Sequence, residues 1–122
     1  MNEEQIIRKY NDNWLYISSH KYLKEKFIRK YQDKVNWSNI STYQKLSEEF
    51  IREFQDKVKW RSIFKHQKLS ESFIIEYKDK ANLEYIWMYQ NLSEDFLRNC
   101  EDKINWEYVS RFQKLSEDFI SL

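Results

Sequence analysis

Four stretches of this chain are nearly the same: QKLSEEFIREF from Gln44, QKLSESFIIEY from Gln67, QNLSEDFLRNC from Gln90 and a shortened QKLSEDFI from Gln113, each starting 23 residues after the last. A fixed period of this length is the mark of a repeat architecture, in which one supersecondary unit is stacked on copies of itself. In register, Leu23, Leu46, Leu69, Leu92 and Leu115 share one position, and Phe27, Phe50, Phe73, Phe96 and Phe119 follow four residues later. Ile28, Ile51, Ile74, Leu97 and Ile120 come next, and then Tyr31, Phe54, Tyr77 and Cys100. Steps of four, one and three trace one face of an α-helix and no face of a strand.

A second set of apolar positions predicts a second helix in each unit. Trp37, Trp60, Leu83 and Trp106 are followed three residues on by Ile40, Ile63, Ile86 and Val109, and three further on by Tyr43, His66, Tyr89 and Phe112. Ser47 suits the start of the first helix, with Glu48 and Glu49 in the first turn, where carboxylates favour the positive end of the helix dipole. Asn36, Asn82 and Asn105 suit the start of the second, and Lys59 and Lys24 break the two cap patterns. Helix A is expected to run about ten residues and helix B about nine, lengths that are marginal for an isolated helix in water. Stacking answers the weakness, because a buried Phe or Leu contributes roughly 1.5–3 kcal/mol. The expected fold is therefore all-α, an α-solenoid of stacked two-helix repeats forming one domain over 1–122. The units are about 1–20, 21–43, 44–66, 67–89 and 90–112, with a capping helix at 113–122. The first unit fits if its A–B connection is two residues shorter, placing Ile6, Ile7 and Tyr10 on helix A and Trp14 and Ile17 on helix B.

Composition agrees. The chain has no Gly and no Pro, which disfavours tight β-hairpins and rules out glycine-rich phosphate loops. Basic and acidic residues number 21 and 20, the balance of a salt-bridge-laced surface more than of a dedicated polyanion binder. A single cysteine, Cys100, excludes an intrachain disulfide, and no apolar run approaches the roughly 20 residues of a membrane span. A cytoplasmic protein, in the producing cell or an infected host, is the expectation.

The pattern LSExFIxxFxDKVNWxxISxYQ resembles the 23-residue tandem repeats in proteins of giant viruses, phages and low-GC bacteria. The resemblance runs from about Ile6 to Ile120, with departures at Lys24, Lys59 and Leu83. It carries no activity with it. It does imply a host-directed role, in which the protein blocks a host enzyme or a defence factor sterically.

The residues that could carry chemistry read better as packing. His20 and His66 stand in the Tyr43 position two repeats apart, roughly 20 Å at ~10 Å per helix layer, too far to share a metal ion. Cys100 has no His in its unit to act as a base. No catalytic, metal or cofactor residues are therefore assigned, and the expectation is a non-enzymatic binding module. Arg8, Arg29, Arg52 and Arg98 form a ladder that could follow a phosphate backbone, which makes a nucleic-acid-binding repeat the second reading. The strongest departure from the repeat is NLEYIWMYQ, where aromatic residues and Met replace Ser, Asn and Thr. Phe64, Ile75, Tyr85, Trp87, Met88 and Tyr108 are accordingly expected to form a protein-binding patch, with a homodimer through the same patch as a variant of that reading. The competing reading packs Trp87 inward against an adjacent repeat.

Overall fold

The computed structural model describes residues 2–20 and 23–99, and among them every regular element is a helix. The chain divides after Gln67 into two compact units. The first holds α1 (Glu3–Lys9), α2 (Trp14–Ser18), α3 (Glu25–Lys30), α4 (Trp37–Tyr43), α5 (Glu48–Glu53) and α6 (Trp60–His66). The second holds α7 (Glu71–Tyr77), a 3-10 turn (Lys78–Lys80), α8 (Leu83–Tyr89) and α9 (Glu94–Asn99). Odd-numbered helices are the A helices of the repeat and even-numbered ones the B helices. Residues 100–122, with Cys100, Asn105, Tyr108 and the expected capping helix, lie outside the described residues.

The caps fall where the sequence places them. Ser47, Ser70 and Asn36 each accept a backbone N–H three residues on, and Asn82 accepts from Glu84. Lys24 and Lys59 keep the extended backbone of a cap but make no side-chain cap bond. Helix A is shorter than expected, six or seven residues, because it ends in a tight turn: the carbonyl of Phe54 receives both Lys57 N–H at 2.8 Å and Val58 N–H at 3.0 Å. The indole N–H of Trp60 then closes the connection by donating to Gln55 O at 3.0 Å, as Trp37 does to Gln32 O at 3.1 Å. The Leu83 side chain has no N–H to offer, and the connection before it is the 3-10 turn. The first connection is two residues shorter, as the alignment requires. It closes through left-handed backbone at Asn11 (φ 49°) and Asp12 (φ 57°), the side chains that tolerate it best after Gly.

Within the first unit the B helices stack, α2 on α4 and α4 on α6. Trp14 and Trp37 each lie on the A-helix rings of the following repeat. Trp37 sits 6.2 Å from Phe50 and 5.1 Å from Phe54, and Trp14 sits 6.3 Å from Phe27 and 5.2 Å from Tyr31. Ile28, Ile40, Phe50, Ile51 and Ile63 are fully buried there, as are Phe73, Ile74, Ile86 and Leu97 in the second unit. The repeated Leu, Phe and Ile positions are thus the core, which is what two marginal helices need in order to persist.

Candidate functional site

A seven-residue B helix has one buried stripe, and its members decide what remains for a partner. In α4 the stripe runs from half-buried Trp37 through buried Ile40 and Ser41 to buried Gln44 just past the helix end. These steps of three, four and seven follow one helical face. The stripe is partly polar, and each polar member is bonded to another repeat. Ser18 Oγ accepts Asn36 N–H at 2.7 Å, and Ser41 Oγ accepts Lys59 N–H at 3.0 Å. Gln67 Nε2 donates to Ser41 O at 3.0 Å and to Gln44 O at 2.6 Å, while its Oε1 accepts Leu46 N–H at 3.0 Å. Gln44 reaches back in the same way to Ser18 O and His20 O. A second link joins the A helices, where Glu25 accepts both N–H and O–H of Ser47, and Glu71 does the same for Ser93.

This stripe corrects the expected patch. Phe64 and Trp87 stand in the position of Ser18 and Ser41, an inward one, and both are fully buried. Large rings there replace a buried hydroxyl; they do not decorate the surface. The structure follows the competing reading in which Trp87 packs inward. The position of Tyr43, His66 and Tyr89, expected to face the core, lies six residues from the Trp and so off the stripe. Tyr43 is 59 % exposed and Tyr89 40 % exposed.

Of the expected contact residues, Ile75 is 52 % exposed on α7, and Tyr85 and Met88 are half-buried on α8. Tyr108 lies outside the described residues. Tyr85, Met88 and Tyr89 are three and one residues apart and form one outer face of α8, with the two Tyr rings 4.8 Å apart. The corresponding faces are Asn39, Thr42 and Tyr43 on α4 and Ser62, Lys65 and His66 on α6. Tyr89 is therefore a surface aromatic that belongs with Tyr85 and Met88, and counting steps of four from Tyr85 would have found it.

The arginine ladder is engaged in an ion pair at Arg29. Arg29 makes a two-pronged contact with Glu53, Nε to Oε2 and Nη2 to Oε1, both 2.9 Å, and lies over the Phe50 ring. This bonding holds the Glu53 carboxyl below its ordinary range and pushes the Arg29 guanidinium up. Lys57 bridges to Asp33 at 3.3 Å across an open groove of about 580 Å³ that Trp37 also lines. Among the described residues no group of His, Cys, Asp and Glu is arranged to hold a metal ion, and no helix is long and apolar enough to cross a membrane. Searches of protein-family models, curated proteins and solved structures return no match to this chain.

Proposed function

We propose that the chain is a non-enzymatic helical-repeat module that binds another protein, and that the outer face of α8 is its contact. The reading is carried by the triplet Tyr85, Met88 and Tyr89, which is apolar where the equivalent faces of α4 and α6 are largely polar. Tyrosine and methionine are enriched where proteins meet. Ile75 adds a second exposed apolar residue in the same unit. The likeness of its repeats to those of viral and phage proteins supports a host or defence factor as the partner, blocked by steric cover, in the cytoplasm.

The test is affinity capture from the producing cell or its host, comparing the natural chain with a Tyr85→Ser, Met88→Ser variant. The variant should lose the partner while its helical circular dichroism stays the same. Equal capture by both proteins would remove α8 from the interface. Sedimentation of both separates self-association through this face from binding of a different chain.

A further inference from the structure

The open groove beside Trp37 lies wholly within the first unit, between the A–B connections of two successive repeats. Asp33 and Trp37 line it from one repeat, and Asp56, Lys57 and Lys59 from the next. Its volume of about 580 Å³ falls within the ~300–1,000 Å³ of small-ligand sites. Two acids and two bases bring its charge to zero. Asp33 and Lys57 satisfy each other at 3.3 Å. Asp56 and Lys59 are exposed, and their side chains make no hydrogen bond or ion pair with any described residue. The groove therefore holds one free carboxylate and one free ammonium, three residues apart, with their Cα atoms no more than ~11 Å from each other.

Lys59 is also where the repeat is broken. Asn13, Asn36 and Asn82 each accept a backbone N–H from this position at the start of their B helices, whereas Lys59 makes no cap bond. Departures from local preference of this kind concentrate at functional sites. The wall opposite is rigid. Trp37 rests on Phe50 and Phe54 and donates its N–H to Gln32 O at 3.1 Å, so the half-buried indole presents a fixed apolar edge. Asn36 uses its Oδ1 on the helix cap, which leaves its Nδ2, with the Ser38 hydroxyl, to donate to a carbonyl.

We propose that this groove binds a short unblocked peptide of two or three residues, its ammonium end at Asp56, its carboxylate end at Lys59 and an apolar side chain against Trp37. A simple anion would meet Asp33 and Asp56, and a simple cation would meet Lys57 and Lys59. Zero net charge with separated poles selects a dipolar ligand instead. The ends of an extended tripeptide lie ~10 Å apart, within the range open to Asp56 and Lys59. Free termini carry the two charges without the rotamer entropy that fixing a Lys and a Glu side chain costs. The exposed Asp33–Lys57 bridge contributes little, so it yields readily to a ligand. This inference does not rest on the α8 reading, which concerns another unit and another class of partner.

The test is isothermal titration of the full chain with alanyl-phenylalanyl-alanine, its N-acetylated and C-amidated forms, free phenylalanine and a doubly blocked lysyl-phenylalanyl-glutamate. The unblocked tripeptide should bind saturably at millimolar concentration. Each singly blocked form should bind about 10- to 150-fold more weakly, the loss of one charge-assisted hydrogen bond. Lys59→Asn restores the cap of the repeat, so it should raise the thermal midpoint while weakening binding by a similar factor. A merely structural Lys59 would move the midpoint alone. Asp56→Asn should weaken binding as much, and Asp56→Glu should retain it. The Tyr85→Ser, Met88→Ser variant should bind normally. No saturable binding of the unblocked tripeptide would overturn the proposal, as would full binding of the acetylated or amidated form, or full binding by the Lys59→Asn variant. Equal binding of phenylalanine would overturn the peptide assignment in favour of an amino acid. Equal binding of the doubly blocked peptide would overturn it in favour of a segment of another protein.

Discussion

Ser41 Oγ accepts the backbone N–H of Lys59 at 3.0 Å, and Lys59 is the residue that opens the next B helix. The bond is buried at the Ser41 end and repeats the one between Ser18 and Asn36. Ser41→Ala leaves that N–H without its acceptor and should cost about 1–3 kcal/mol, read from urea denaturation. A cost near zero would mean that water replaces the hydroxyl.

Gln67 serves three backbone groups at once. Gln67→Leu keeps approximate volume but strands the Leu46 N–H and two carbonyls, so it should destabilise by more than Ser41→Ala. Both residues touch the same Ser41 carbonyl region, so the double variant should be less harmful than the sum of the two.

Trp87 has no exposed surface. Trp87→Ala should lower stability by about 3–5 kcal/mol and erode the helical circular dichroism signal on mild heating. A loss of binding in that variant would report unfolding, which is why Tyr85 and Met88 are the informative positions.

The Arg29–Glu53 pair should be visible as an acid limb. Glu53 is held below its ordinary value of 4.5 by the Arg29 hydrogen bonds, so its contribution is present above that pH and fades as pH falls through the lowered value. Because both groups are solvent-exposed, the effect should be small and should shrink in high salt. Urea midpoints from pH 2 to pH 6, with and without Glu53→Gln, measure it; identical profiles would show that the contact contributes nothing in solution.

Asn11 and Asp12 adopt left-handed backbone. Asn11→Gly should be neutral or mildly stabilising, while Asn11→Val should cost about 1–2 kcal/mol. Thermal midpoints of the two variants decide it.

The repeat, the helical class, the caps at Ser47, Asn36 and Asn82 and the two-residue deficit before Trp14 were all legible in the sequence, because each is a matter of local spacing. The facing of helix B was not. Apolarity alone links Trp37, Ile40 and Tyr43, but the sixth residue on lies well off the helical face, whereas Ser41 and Gln44 lie on it. Those two are polar, and a small hydroxyl or an amide reads equally well as solvent-facing until its partner is known. Gln44, Gln67, Gln90 and Gln113 did carry a signal: glutamine recurs there in four successive repeats, with Lys21 the departure, while the residue after it varies between Lys and Asn.

The backward reach of those glutamines makes chain length a quantised variable. Each kind of link recurs at its own fixed separation in sequence, 26 for Gln44 to Ser18 and again for Gln67 to Ser41, and 18 for Asn36 to Ser18 and again for Lys59 to Ser41. Adding or removing one whole period leaves each donor opposite an equivalent acceptor. A change of a residue or two inside a B helix would misalign the row on both sides, so this lineage can grow or shrink by duplication far more readily than by small insertions.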